Sequence, residues 1–224
     1  MQHKNKLLLT FLVLFLGTLY ADAQMYRRPG VRGRIIMRNR TTNQRNKNTK
    51  QPAYEPSVHL KIGYGFQNLD KNILPTFYGA TMGNVQQNGP FMGSIDYQFS
   101  QSMSVGVLIT HGTVSASYYD FSNLITPAFN GKLDNWSYML NLMHYMKGSK
   151  SVTPFVRTAI GINSWQQTYT DMNGNKAPVQ EAILPDFAYQ VGIGTKIKIS
   201  TNAGFSLEAG YGKYIVQAGL NFKF

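Results

Sequence analysis

The sequence predicts an all-β fold, namely an eight-stranded antiparallel up-and-down transmembrane β-barrel. Three observations carry this prediction. From residue 57 onward apolar residues recur with a period of two, which is typical of strands with one apolar and one polar face. No apolar run reaches the ~20 residues that a membrane-spanning helix needs. Long and short connections alternate between the predicted strands, as they do in membrane barrels.

The composition agrees with a membrane protein better than with a soluble domain. Charged residues make up 14% of the chain and aromatic residues 13%, whereas an ordinary soluble domain is ~25% charged. Cysteine is absent from the sequence. The sequence therefore excludes disulfides, thiolate metal sites and a lipid anchor on cysteine.

The first 23 residues have the pattern of a secretory signal peptide. Lys4 and Lys6 give a basic start, residues 7–16 form an apolar core, and Ala21-Asp22-Ala23 has the small-x-small form of a cleavage site. We expect the mature chain to begin at Gln24. The alternative is an uncleaved anchor helix, which the short apolar core disfavours.

A basic segment follows, at residues 24–54. The net charge of the chain is +12, and most of it lies here. The segment is rich in Asn, Thr and Gln and poor in apolar residues, so it cannot bury enough surface to fold and is expected to be disordered. The basic residues between positions 25 and 51 are Arg27, Arg28, Arg32, Arg34, Arg38, Arg40, Arg45, Lys47 and Lys50, with no acidic residue among them.

Three roles are open for this segment. It could be a solvated spacer. Residues 26–50 could instead bind an anionic periplasmic or envelope partner, such as lipid phosphates or a cell-wall polymer. Nucleic-acid binding is disfavoured, because an exported protein seldom meets nucleic acid and no binding motif accompanies the charges.

Residues 55–224 are predicted to form the barrel domain. In the first strand Val58, Leu60 and Ile62 alternate with His59 and Lys61. The predicted strands are 57–66, 90–99, 103–118, 134–147, 152–163, 185–199, 203–212 and 213–224.

The alternative fold is a soluble β-sandwich, and three features count against it. The polar faces are rich in glycine, which suits the crowded interior of a small barrel. The connections 67–89, 119–133 and 164–184 are long, whereas those on the other side are short, as the barrel rule requires. Aromatic residues also cluster near the strand ends, as at the two interfaces of a membrane barrel. They are Tyr64, Phe66, Phe91, Trp136, Tyr138, Phe187, Tyr189, Tyr211 and Tyr214 near one end and Phe99, Phe222 and Phe224 near the other.

The last eight residues resemble the C-terminal insertion signal of outer-membrane proteins. Gln217, Gly219, Phe222 and Phe224 fill its polar, glycine and two aromatic positions. This resemblance implies that the barrel assembly machinery reads the last strand.

More broadly, residues 55–224 resemble the small outer-membrane β-barrel domain family of the OmpA and OmpX type. The resemblance implies a location in the outer membrane of a gram-negative bacterium, in contact with outer-membrane lipid. Members include structural anchors, adhesins, secretion accessories and a few lipid enzymes, so the fold alone does not choose the function.

Five charged residues fall on the inward face of the predicted strands. Because an isolated charge in a barrel interior costs several kcal/mol, we expect them to pair in one ionic network. The network could fill and order the lumen, or it could act as a gate that opens a small pore. The five are Lys61, Asp96, Arg157, Lys196 and Glu208.

No catalytic signature is evident. His111 is the best-placed histidine, with Ser115 four residues away on the same strand, but residues at that spacing lie about 13 Å apart. A cross-strand partner would be needed, and Asp134 is the nearest candidate. No ligand spacing suggests a metal site, and residues 171–175 are better explained as a turn than as a calcium loop. We predict no metal, no cofactor and no enzyme activity.

Three functions are therefore considered. The first is a non-enzymatic outer-membrane protein with a structural or surface-interaction role, because the loops are rich in adaptable polar residues. The second is a narrow channel or secretion-system accessory. The third is a lipid-modifying enzyme at the rim of the barrel.

Overall fold

The computed structural model describes residues 54–224. The expected signal peptide and the basic segment up to residue 53 lie outside the described residues. Within residues 54–224 no helix is long and apolar enough to cross a membrane. A short 3₁₀ helix spans Leu69–Ile73, and the other elements are strands. The strands are β1 (Ser57–Asn68), β2 (Ala80–Gln98), β3 (Met103–Asp120), β4 (Phe129–Tyr145), β5 (Val152–Thr170), β6 (Phe187–Lys198), β7 (Ala203–Tyr211) and β8 (Tyr214–Lys223).

The strands form one closed antiparallel barrel in which each strand pairs with the next along the chain. The last strand closes the sheet on the first, with Ile62 opposite Leu220. The predicted fold class, strand number and strand order are thus confirmed. We call the end where β1 begins and β8 ends the terminal end, and the opposite end the loop end.

The lipid-facing belt consists of apolar side chains that point away from the barrel axis. Ile62, Ile95, Leu140, Ile160 and Ile193 are between 49% and 65% exposed. Closure of the sheet pairs the backbone groups, so such a belt can face hydrocarbon without unsatisfied hydrogen bonds. Aromatic residues end the belt at both rims, as the sequence predicts.

Three strands run farther toward the loop end than the sequence indicates. β2 begins at Ala80 rather than 90, β4 at Phe129 rather than 134, and β5 ends at Thr170 rather than 163. The predicted connections 67–89, 119–133 and 164–184 are therefore wrong. The loops are 69–79, 121–128 and 171–186.

The physical reason is a reversal of polarity along each strand. Below Trp136 the large apolar side chains Tyr138 and Leu140 of β4 face outward, whereas above it Leu133 faces inward and is 1% exposed. The strands leave the lipid belt there and continue as a sheet with an apolar inside and a polar outside. We call the part formed by 80–89, 112–120, 129–135 and 163–170 the extension.

A second correction concerns Tyr214, which the sequence placed on the outward face. Tyr214 is fully buried in the lumen, and the alternation of buried and exposed residues breaks here, since Ile215 and Val216 are both exposed. The backbone amides of Lys213 and Tyr214 both donate to Oε1 of Gln190, at 2.7 and 3.3 Å. The pairing of β8 with β1 continues without a register shift, and Asn68, the partner of Tyr214, is buried as well.

The inside of the extension has its own apolar core. Phe77, from the loop after the 3₁₀ helix, packs edge-to-face on Tyr118, Phe129 and Tyr169 with ring centroids 5.0, 5.2 and 5.3 Å away. The Tyr118 hydroxyl donates to the backbone carbonyl of Pro75 at 2.8 Å. Residues 69–78 therefore fold across the inside of the extension and cover the loop end of the lumen.

Candidate functional site

The centre of the lumen holds one carboxylate between two cations. The Glu208 carboxylate on β7 lies 3.3 Å from Lys61 Nζ on β1 and 3.1 Å from Arg157 Nη1 on β5. The Tyr214 hydroxyl donates to Glu208 at 2.8 Å and accepts from Arg157 at 3.1 Å. All four side chains are at most 2% exposed. The cluster joins four strands across the barrel axis.

The other two predicted lumen charges take different partners. Asp96 accepts from Asn141 at 2.6 Å and from Ser94 at 2.8 Å. The Lys196 ammonium donates to the Tyr145 hydroxyl at 2.7 Å and lies 4.4 Å from the centre of its ring. The structure thus brings all five predicted residues into the lumen but joins only Lys61, Arg157 and Glu208 by direct ion pairs.

A second ionic cluster closes the loop end. Lys213, in the turn between β7 and β8, lies with its Nζ 2.6 Å from the Asp70 carboxylate. Asn135 donates to the other oxygen of Asp70 at 2.9 Å, and Asn163 accepts from Lys213 at 3.1 Å. Burial lowers the pKa of Lys213, while the neighbouring Asp70 carboxylate opposes that shift. We call these four residues the loop-end lock.

The local sequence explains how Asp70 reaches the lumen. Asn68 ends β1 and its side chain accepts from the backbone amide of Asp70 at 3.0 Å, which caps the 3₁₀ helix. The Leu69 amide donates to the carbonyl of Lys213 at 3.1 Å. Sequence reasoning missed the lock because it assigned Asp70 to an open loop. The Asn68-x-Asp70 spacing, which favours a cap, was the available signal.

The four residues of the C-terminal signal lie on two faces. Gln217 and Gly219 face the lumen, whereas Phe222 is half-buried and Phe224 is 76% exposed at the terminal end. A Cβ at Gly219 would clash with the backbone carbonyl oxygen of Ile62 on β1. Glycine at this position therefore permits the close approach of the two strands that close the barrel. Reading by the assembly machinery stays a prediction.

The candidate histidine lies on the outward face, just above the aromatic rim. His111 stacks on Trp136 with ring centroids 4.3 Å apart, and its Nε2 is 3.9 Å from the Asp134 carboxylate. Asp134 already accepts from Thr113 at 2.5 Å and pairs with Lys132 at 2.7 Å. Asp134 is thus a diagonal cross-strand neighbour of His111, but its two oxygens already contact Thr113 and Lys132.

Neither a nucleophile nor a metal centre accompanies this histidine. Ser117 donates to Asn130 at 2.7 Å, and Ser115 faces Lys132 in the strand register. Within the part of the chain that the structure describes, no group of three His, Asp or Glu side chains could hold a metal ion. The Asp171 carboxylate of the turn 171–175 accepts from the backbone amides of Asn175 and Asn173, and the first of these contacts is the main cause of its lowered pKa. These contacts close a turn on the carboxylate.

Comparisons with known protein families and with curated proteins found no match. Solved structures with similar strands include Ail, the attachment invasion locus protein of Yersinia pestis, in complex with the heparin analogue sucrose octasulfate. It is 13% identical, the match covers 76% of this chain and 100% of that chain, and the TM-score is 0.42. The N-terminal β-barrel domain of Pseudomonas aeruginosa OprF is 14% identical over 75% of this chain and 97% of that chain, with a TM-score of 0.37. A de novo designed transmembrane β-barrel is 15% identical over 75% and 95%, with a TM-score of 0.40.

The strand pairing and the chemistry of the two faces of the sheet identify the fold class. A closed barrel with an outward apolar belt, aromatic rims and a polar interior is the surface that a bilayer requires of strands. An eight-stranded barrel has an interior that side chains can fill, and here the lumen holds ionic clusters and buried amides. This chain is an eight-stranded antiparallel transmembrane β-barrel.

Proposed function

We propose that this protein is a non-enzymatic outer-membrane β-barrel with a surface-interaction role. The single observation that carries the proposal is the extension, in which β2 to β5 continue past the aromatic rim around an aromatic core. A barrel that served only to span the membrane would need strands of ~9–11 residues, whereas β2 and β5 have 19 residues each. The extra length lifts the loops away from the membrane.

The loop 121–128 at the tip of the extension supports this role. Its backbone is held by hydrogen bonds from the amides of Ile125 and Thr126 to the Asn123 side chain, at 3.0 and 3.3 Å. Leu124 and Ile125 nevertheless point into solvent, 63% and 90% exposed. Apolar side chains held out by an ordered loop favour contact with a partner.

The lumen counts against the channel and secretion-accessory alternatives. The Glu208 cluster lies across its centre, and the loop-end lock with residues 69–78 covers its mouth. The occupied Asp134 carboxylate beside His111 counts against the lipid-modifying enzyme.

The location follows from the same proposal. Export by cleavage after Ala23, and insertion by the barrel assembly machinery, would bring the barrel to the outer membrane with its loop end outside. Residues 26–50 would then lie in the periplasm, where their charge suits an anionic envelope partner.

Conductance of the purified barrel in planar bilayers tests the proposal against the channel alternative. We expect no steady ion current, because charged and aromatic side chains fill the lumen. A steady current in the wild type that Asp70→Asn changes would instead identify a gated pore. Mass spectrometry of lipids from cells with and without the gene should show no difference, and a gene-dependent change in lipid structure would identify an enzyme.

A further inference from the structure

The outward face of the extension is built in regular cross-strand rows. One row runs through Asn88, Thr113, Asp134 and Gln166, because these residues are successive register partners on β2 to β5. The row begins directly above Trp136, which is 46% exposed. Residues opposite each other in antiparallel strands share a face. The row therefore continues the lipid-facing surface but carries polar groups.

The next row toward the loop end, which we call the upper row, is also polar. Gln86, Ser115, Lys132 and Thr168 are successive register partners. All four side chains point away from the aromatic core, and their residues are exposed or half-buried. Both rows consist of hydroxyl and amide groups apart from one Lys and one Asp. A polar sheet face thus stands on the lipid belt.

The height of this face bears on what covers it. From Trp136 to Lys132 in the upper row, four residues span about 13 Å along the strand, or about 10 Å along the membrane normal at a tilt of ~40°. A phospholipid headgroup layer is only about 5–8 Å thick on each side of the hydrocarbon. The upper row therefore rises above phospholipid headgroups, into the layer that a larger headgroup would occupy.

The chemistry of the face matches a neutral, hydroxyl-rich ligand. Its two charges cancel, because Lys132 Nζ lies 2.7 Å from the Asp134 carboxylate. Hydroxyl and amide side chains both donate and accept hydrogen bonds, as sugar hydroxyls do. A sheet face that met only water would be expected to carry more charge, which keeps exposed strands from pairing with other chains. At its foot the stacked rings of His111 and Trp136 offer a flat apolar surface.

We propose that this face binds the saccharide headgroup of an outer-leaflet glycolipid. The continuity of the polar rows with the lipid belt identifies the occupant, since the molecule whose acyl chains contact the belt has its headgroup directly above it. This inference rests on the proposed function, because it needs the loop end to face outward. The sugars, rather than the phosphates of the headgroup, are the recognised groups.

The experiment uses the full chain in vesicles of three compositions. They are phospholipid alone, phospholipid with lipid A, and phospholipid with rough lipopolysaccharide that carries core sugars. The barrels are extracted in detergent, and the lipid retained per barrel is measured. We expect the barrel to retain rough lipopolysaccharide in preference to lipid A. Equal retention of the two glycolipids, or of phospholipid, overturns the inference and leaves the face to a protein partner or to solvent.

A double variant assigns the preference to the face. Ser115→Val with Thr168→Val removes two hydroxyls from the upper row, while β-branched residues keep the strand propensity. Two lost hydrogen bonds predict about a tenfold weaker preference. Ser151→Val with Thr201→Val removes two exposed hydroxyls at the terminal end and should leave the preference unchanged. A preference that survives the first variant overturns the site.

The proposed function is tested separately by the orientation of the barrel. An Ile125→Cys variant that labels from outside intact cells establishes the outward loop end. With that result in hand, loss of the sugar preference alone rejects only the glycolipid site. Failure of the labelling would reject both.

Discussion

Glu208 on β7 and Arg157 on β5 pair at 3.1 Å across the lumen, and neither side chain is exposed to solvent. Lys61 makes the second ion pair of the same carboxylate. Removing one member of a buried pair is more damaging than replacing the whole group by apolar residues, because an uncompensated charge is left behind. The carboxylate is therefore the residue on which the stability of the lumen depends.

Replacing Glu208 by Ala should lower the free energy of unfolding by about 3–5 kcal/mol, since Arg157 and Lys61 lose their counterion. The triple variant Lys61→Met, Arg157→Met, Glu208→Leu should be milder, because it removes all three charges. Urea unfolding of the barrel in detergent measures both. Equal loss in the single and triple variants would contradict the assignment of the network.

The hydroxyl of Tyr214 should contribute separately. Tyr214→Phe removes one hydrogen-bond donor from Glu208 and one acceptor from Arg157, although the two keep their ion pair, so we expect a loss of about 1–3 kcal/mol. Tyr211→Phe is the matched control, because Tyr211 is 61% exposed on the outward face. It should change the unfolding free energy by less than about 0.5 kcal/mol. Similar effects of the two variants would place Tyr214 outside the lumen.

Ile62 and Tyr214 show which features of the strands can be predicted from the sequence and which cannot. The alternation around Ile62 is unbroken, so strand, face and barrel follow from the period of two. At Tyr214 the alternation breaks, and no residue type in this segment predicts the break. Leu133 was missed for another reason. The alternation continues around Leu133, but the apolar residues change from the outward to the inward face where the strand leaves the lipid. A prediction that requires apolar residues on the outward face therefore assigns this segment to a loop.

The candidate site is likewise predictable from the sequence only in part. The lumen charges were found because charged residues on an otherwise small and polar face are conspicuous. Their partners depend on which strands face each other across the barrel axis and on side-chain length. The Lys196 ammonium therefore donates its hydrogen bond to the Tyr145 hydroxyl rather than to Asp96. Asp70 was missed because its place depends on a cap and a tertiary contact with Lys213.

The loop-end lock predicts a pH effect. Burial lowers the pKa of Lys213 in the folded protein, and Asp70→Asn removes the carboxylate that opposes this shift. The unfolded chain then binds more protons than the folded one at pH values between the folded and unfolded pKa, so stability rises as pH rises through that interval. The variant should gain more unfolding free energy than the wild type as the pH rises toward the unfolded lysine pKa of about 10.4. An equal pH dependence in both proteins would contradict the coupling of Asp70 to Lys213.

Insertion is predicted to depend on the last two aromatic residues more than their packing explains. Phe224 is 76% exposed and Phe222 is half-buried, so changing both to Ser should cost little packing energy. We nevertheless expect the variant to remain unassembled and to be degraded. Outer-membrane fractionation and the gel migration of heated and unheated samples measure this, with Asn173→Ala as a loop control. Normal yield and heat-modifiable migration of the variant would contradict the signal.

The central claim is that the extension stands outside the cell on a closed barrel, and its orientation can be measured directly. The chain has no cysteine, so a single substitution gives a unique label site. Ile125→Cys lies at the tip of the extension, where Ile125 is 90% exposed, and Lys150→Cys lies in an exposed turn at the terminal end. With a membrane-impermeant maleimide we expect Ile125→Cys to label on intact cells and Lys150→Cys only after the outer membrane is permeabilised. Labelling of Lys150→Cys but not Ile125→Cys on intact cells would contradict the account.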